Sequence, residues 1–302
     1  MPSANWPQEA CVAKEPDLQG RVVVHSLEYT IVYQCTNRCR GCNHFTFIQP
    51  KHCVSVSQFR QDLEALTKIA HCDKFSLIGG ECLLHPNIVE LLDIVNEVKI
   101  GDLVSLTSNG QLFERYADEL WSRLQRVEFG LYAGKWSVSS MTKLMNTVER
   151  WDLPAFFGLV GPHEPALIKL VETRVGKNPQ WRHVVNTGFH PTLTRETADD
   201  QEAQRRFSRC LYGHVCVTLD QGYLFRCPES SFVPSLLLGQ DRCLDGKKLE
   251  GMKVDDFRQF VLCEQHLHSC HRCCSLENYF PWCEVAESTS KEEWLKLAMG
   301  NV

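Results

Sequence analysis

From about residue 28 to residue 190, short β-branched or apolar runs alternate with segments whose apolar positions recur at helical spacing. "YTIVY" (29–33) reads as a first strand. Residues 57–70 follow with Phe59, Leu63, Leu66 and Ile69–Ala70 on one helical face and Ser57 as N-cap. "KFSLIG" (74–79) reads as a buried strand, and 86–99 as a helix opened by Pro86. Strand 103–108, helix 112–124, strand 127–132, helix 137–149, strand 155–160, helix 165–174 and strand 183–187 continue the alternation. Each crossover is long enough for parallel pairing, which predicts an α/β fold with a parallel sheet or partial barrel. Functional residues then belong at the C-terminal ends of the strands.

Beyond about residue 195 the pattern changes. "VCVTLDQGYLFRC" (215–227) predicts a hairpin turning at Asp220–Gln221–Gly222, followed by a helix near 254–263 and a terminal helix near 290–298. The expected division is an N-terminal extension (1–27), a partial barrel (28–195), a small α+β domain (205–286) and a C-terminal helix (287–302), with the boundary near 195–208.

Composition narrows the function classes. The 302 residues are 43% hydrophobic and 23% charged, ordinary for a chain able to bury a core. A net charge of −5, with no Lys/Arg block, argues against nucleic acid as a partner. No export signal or membrane-length apolar run is present, so a cytoplasmic setting is expected. The 16 cysteines are the outlier. Clustered cysteines in a reducing compartment more often hold metal than form a disulfide framework.

Cys35, Cys39 and Cys42 follow the first strand as C-x3-C-x2-C. Three thiolates with one position left open suit three corners of a cubane iron–sulfur cluster. Read alone, they also suit a zinc loop completed by a distant residue. The second strand ends in Gly79–Gly80–Glu81, where glycines allow close backbone approach to a ligand and a carboxylate can accept from an amine.

Taken together, these two motifs resemble those of the radical S-adenosylmethionine (SAM) superfamily. The resemblance implies a partial (β/α)6 TIM-like barrel in which Cys35, Cys39 and Cys42 hold a [4Fe–4S] cluster. SAM would chelate the open iron, with Gly79, Gly80 and Glu81 on its amine. Ser108 and Asn109, in "TSNG" after strand three, are the expected ribose or carboxylate contacts; a helix-capping turn is the other reading. "FFGLVGPHE" (156–164) partly matches the family's adenine segment at Gly161 and Glu164, with Phe157 in place of its first glycine.

A second thiol set, Cys210-x11-Gly222-x4-Cys227 with Cys270-x2-Cys273, suits either a fully protein-ligated [4Fe–4S] centre or a zinc knuckle on spacing alone. His266, His268 and His271 lie beside it and are possible zinc ligands. The pattern resembles the twitch domain, a shortened SPASM module, which implies Cys210, Cys227, Cys270 and Cys273 as ligands of one auxiliary [4Fe–4S] cluster.

The implied activity is a radical SAM enzyme. Its 5′-deoxyadenosyl radical abstracts hydrogen from a small hydroxylated substrate of sugar, aminocyclitol or aminoglycoside type. The outcome is epimerisation or two-electron oxidation, with flavodoxin or ferredoxin as reductant. For epimerisation, Cys243 is the first expected hydrogen-atom donor and Cys216 the second. A peptide-modifying maturase and a zinc-stabilised binding module without chemistry are the competing expectations.

Overall fold

The computed structural model describes residues 13–132, 155–160, 181–186, 188–189, 193, 196–273, 280–281 and 283–298, with isolated positions 135, 142, 143 and 146. The helices expected at 137–149 and 165–174, and residues Gly161 and Glu164, lie outside them.

After a short strand β1 (Ala13–Lys14), β2 runs over Val22–Val32, β3 over Ala70–Gly79, β4 over Gly101–Ser108 and β5 over Arg126–Tyr132. β6 (Ala155–Val160), β7 (Trp181–Asn186) and β8 (Gly188–Phe189) follow. β2 begins six residues before the expected boundary at 28, because Val22, Val24 and Leu27 are buried on either side of the polar pair His25–Ser26. That polar pair hides the start of the strand from a reading of apolar runs. β2, β3, β4 and β5 pair in parallel in that order, and β7 inserts between β5 and β6, also in parallel.

Helix α1 (Val56–Leu66) buries Phe59, Leu63 and Leu66 on the outer face of the sheet. Its N-cap is Ser55 rather than Ser57: the Ser55 hydroxyl accepts from the Gln58 amide at 3.2 Å. Helix α2 (Ile88–Val98) buries Leu91, Leu92 and Val95 in the same core and ends on Lys99 in the left-handed region. Helix α3 (Phe113–Trp121) follows β4. Among the described residues no helix is long and apolar enough to cross a membrane.

The C-terminal segment adds α4 (Asp200–Ser208), α5 (Leu211–Val215), β9 (Cys216–Asp220), β10 (Tyr223–Phe225), β11 (Lys247–Lys248), α6 (Val254–Leu262), β12 (Phe280–Pro281) and α7 (Lys291–Ala298). Gln221 and Gly222, with φ of 48° and 75°, form the two-residue turn expected of a tight hairpin. β9 pairs in parallel with β2, from Ser26↔Cys216 to Tyr29↔Leu219. The boundary expected near 195–208 therefore does not part the sheet: the hairpin assigned to a separate small domain extends the barrel sheet beyond β2. Asp220, fully buried, locks it there. Its carboxylate accepts from the Tyr33 hydroxyl at 2.8 Å and from Arg242 at 2.6 Å.

Candidate functional site

The loop after β2 carries Cys35, Cys39 and Cys42 across the C-terminal end of the sheet. Inside it, the Asn37 amide donates to Cys35 Sγ (3.4 Å) and the Cys42 amide to the Cys39 carbonyl (3.3 Å). The loop turns at Phe45, which has a φ of 52° and no exposed surface. Its ring packs edge-on against Trp294 of α7 at 5.2 Å and Phe232 at 6.2 Å, which fixes the backbone in the left-handed region. Residues 283–285 run antiparallel along the other side: Arg40 N–H bonds the Cys283 carbonyl at 3.1 Å, and Val285 N–H bonds that of Arg38 at 2.8 Å. Nothing in the sequence pattern indicates this strap.

Gly79 and Gly80 stand where main chains approach closely. A Cβ on Gly79 would fall 2.3 Å from the Val32 carbonyl oxygen, and one on Gly80 2.1 Å from that of Gln34. The glycines let the end of β3 cross against the main chain leaving β2, where Gly80 N–H and Glu81 N–H each donate at 2.8 Å to Val32 and Gln34. Glu81 is fully buried. Its carboxylate accepts from the Ser108 hydroxyl (2.8 Å), the Asn109 amide (2.7 Å) and the Leu83 amide (3.1 Å). Burial raises its pKa, and these three donors oppose the shift. Asn109 also reaches back to the cysteine loop, donating to Thr36 Oγ1 at 2.8 Å and approaching Cys35 Sγ at 3.7 Å. Glu81, Ser108 and Asn109 thus brace β3, β4 and the cysteine loop as one hydrogen-bonded unit.

A cavity of about 240 Å³ opens at this end of the sheet, and Cys35, Cys39, Cys42, Gly79, Gly80 and Asn109 are in its wall. Farther in, Glu28 and Glu128 line it, with His44 and Tyr132 on other sides. Burial holds the His44 imidazole down at about 4, hence neutral, and raises the Glu28 carboxyl above its usual range against the charge of Lys74. On the neighbouring strands Ser26, Thr30, Ser76, Ser105 and Thr218 are buried, and their oxygens have no protein partner.

The second thiol set converges as well. Cys210, Cys227, Cys270 and Cys273 all line one small enclosed cavity of about 20 Å³. Cys210 caps α5 through its sulfur, which accepts from the Gly213 amide at 3.4 Å, and Cys227 Sγ accepts from the Ser230 amide at 3.4 Å. Arg206 donates to the carbonyls of Cys270, His271 and Cys273 at 3.0–3.3 Å. Asp245 holds the same knuckle, accepting from the His268 amide (2.6 Å) and the Ser269 amide (2.9 Å). Burial pushes the Cys35 and Cys270 thiols each up to about 12, so a metal's charge is what would hold them as thiolates.

One ion would need its ligand atoms close together. Among the described residues the only set of three metal-binding side chains whose ligand atoms lie within 4.8 Å of one another is Asp200, His266 and His271. Neither thiol set is drawn together that tightly.

Residues 29–152 match the radical SAM superfamily model. That stretch is similar to the radical SAM superfamily. Similar curated proteins include the GTP 3′,8-cyclase of Syntrophomonas wolfei subsp. wolfei, 29% identical over 112 residues, covering 36% of this chain and 34% of that protein. The GTP 3′,8-cyclase of Rhizobium leguminosarum bv. trifolii is 33% identical over 107 residues, covering 34% of this chain and 30% of that protein. The chain spans about a third of the length of these relatives. Among solved structures, histidine-tagged anSMEcpe with bound AdoMet shares the fold. Its TM-score is 0.53 at 12% identity, over 91% of this chain and 97% of that one.

Outside residues 29–152, the two expected hydrogen donors separate. Cys216 is buried in β9 with its thiol on Glu28, whereas Cys243 sits exposed on the turn Arg242–Leu244. Neither is in the wall of the larger cavity. Sequence reading missed Asp220, Asp245, Arg206 and the 283–285 strap, because each acts on residues far away in the chain.

Proposed function

We propose that this protein is a radical SAM enzyme with two iron–sulfur centres, acting on a small, hydroxylated substrate of aminated-sugar or aminocyclitol type. The observation that carries the reading is the cavity wall. The Cys35–Cys42 loop and the ends of β3 and β4 meet around one cavity. Cys35, Cys39 and Cys42 would hold the SAM-binding [4Fe–4S] cluster, with SAM itself along Gly79, Gly80 and Asn109. Cys210, Cys227, Cys270 and Cys273 would hold the auxiliary [4Fe–4S] cluster. Bound there, these groups would supply one-electron chemistry: hydrogen-atom abstraction from a substrate carbon, and acceptance of the electron released when a carbinol is oxidised.

The chain's own residues select and orient the substrate. Asn37, Asn43, Thr46 and Thr107 in the cavity wall suit a ligand rich in hydroxyl groups, and Glu28 and Glu128 suit a cationic amine. His44, neutral and with Nδ1 unpartnered, is available to take a hydroxyl proton. The absence of Cys216 and Cys243 from the cavity wall, among the described residues, favours two-electron oxidation over thiol-donated epimerisation. A reductant of flavodoxin or ferredoxin type and a cytoplasmic setting complete the proposal.

Anaerobic reconstitution should give a brown protein with about eight irons per chain. Cys35→Ala should remove about half the iron and all SAM cleavage; Cys270→Ala should remove the other half and spare cleavage. Turnover in D2O with an aminocyclitol should give a ketone without solvent deuterium, whereas labelled, inverted product would establish epimerisation. A colourless protein that binds only zinc at both thiol sets would overturn the reading.

A further inference from the structure

The Asp200, His266 and His271 set lies outside both cavities, at the start of α4 and on the segment leading into the Cys270–Cys273 knuckle. Asp200 Oδ1 stands 3.5 Å from His271 Nε2 and 3.9 Å from His266 Nε2, and the two rings meet edge-on at 5.2 Å. The opposite ring nitrogens are occupied. His271 Nδ1 lies 2.8 Å from the Thr197 carbonyl, and His266 Nδ1 lies 3.2 Å from Gln204 Oε1. A carbonyl oxygen can only accept, so each Nδ1 carries a proton and each Nε2 is the nitrogen that faces Asp200 and is left for a metal. The orientation of Gln204 is settled by its two other bonds: its amide nitrogen donates to the Glu264 carbonyl at 2.8 Å, and its oxygen accepts from the His266 main-chain amide at 3.0 Å.

Asp200 is not spent on capping α4, since Asp199 accepts from the Gln201 amide instead. The carboxylate is 82% exposed, whereas the imidazoles are 23% and 17% exposed. Two oriented imidazoles and one solvent-facing carboxylate match the ligand set of borderline first-row metals, with further positions open to water. Backbone and amide carbonyls on the far ring nitrogens are the outer contacts that orient histidine ligands.

We propose that Asp200, His266 and His271 form a binding site for a divalent ion of the zinc class, distinct from both thiol sets. The ion ties the start of α4 to the knuckle that carries Cys270 and Cys273, and its occupancy stabilises that fold by mass action.

The test uses anaerobically reconstituted protein, so that the thiols are already engaged. After equilibration with Zn2+ and desalting, one zinc per chain is expected above the iron content. Zinc-edge X-ray absorption should show only nitrogen and oxygen neighbours at about 2.0–2.1 Å. Asp200→Ala and His266→Ala, both outside the C-x2-C knuckle, should each weaken zinc binding at least tenfold while leaving iron content unchanged, and Gln204→Ala should weaken it about tenfold. Sulfur neighbours at about 2.3 Å, no retained zinc, or unchanged zinc affinity in Asp200→Ala and His266→Ala would overturn the site. Iron content is a separate readout, so failure to load clusters bears on the thiol sets and not on this ion.

Discussion

At the scale of single residues, similar-looking glycines have different roles. Gly80 is glycine because the Gln34 carbonyl occupies the place of its side chain, 2.1 Å from an added Cβ. Gly222 is glycine because of its φ of 75° alone, with nothing within 4 Å of an added Cβ. Gly222→Ala should therefore cost only about 1 kcal/mol, a local left-handed penalty. Gly80→Ala forces main chain against main chain and should cost about 3 kcal/mol or more. Urea-unfolding midpoints distinguish the two, and equal costs would contradict the crossing of β2 and β3. Glu81 carries the same lesson. The triplet Gly79–Gly80–Glu81 is legible as a site in the sequence, but the three donors that turn its carboxylate inward come from Leu83, Ser108 and Asn109. Two of these are more than 25 residues away, out of reach of any local pattern.

At the scale of elements, apolar periodicity located β2 to β7, α1 to α3, α6 and α7 but not α4, α5 or the two-residue strands, and their ends were decided by single hydrogen bonds. The N-cap of α1 is the clearest case. The sequence reading put it at Ser57, but it is the Ser55 hydroxyl that receives the Gln58 amide. Ser55→Ala should lower stability by about 1 kcal/mol, whereas Ser57→Ala should change it by less than about 0.5 kcal/mol. Paired thermal melts check this, and a larger loss from Ser57→Ala would return the cap to that residue. The turn at Gln221–Gly222 was legible because a tight hairpin needs two residues of positive φ, a local demand. The pairing of β9 with β2 was not, since it joins residues some 190 positions apart through backbone bonds that any sequence can make.

At the scale of the whole molecule, the sheet encloses carboxyl groups that a surface would leave in water. Glu28 faces the larger cavity, and burial raises its pKa above the ordinary 4.5. Below 4.5 both folded and unfolded chains hold the proton, so its contribution to stability is fully present. As pH rises from 4.5 through the folded value, the unfolded chain ionises first and stability is lost. Glu28→Gln lacks this component. The stability of the wild type relative to Glu28→Gln should therefore fall as pH is raised, and urea midpoints measured side by side from pH 4.5 upward check it. A pH-independent difference would place Glu28 in water.

By itself the sequence determined the parallel α/β class, the two sets of cysteines and the glycine-rich end of the second long strand. Those features are local: periodicity sets which face is buried, and ligand spacing sets which thiols share a loop. Tertiary structure alone decided that the C-terminal hairpin extends the barrel sheet, that the 283–285 strap backs the first cysteine loop, and that Cys210, Cys227, Cys270 and Cys273 line one cavity. It also brought Asp200 within 4 Å of two histidines some seventy positions later. The physical reason is common to all four. Such contacts are made by main-chain groups, or by side chains joined only through the packing of a shared core, and neither leaves a periodic trace along the chain.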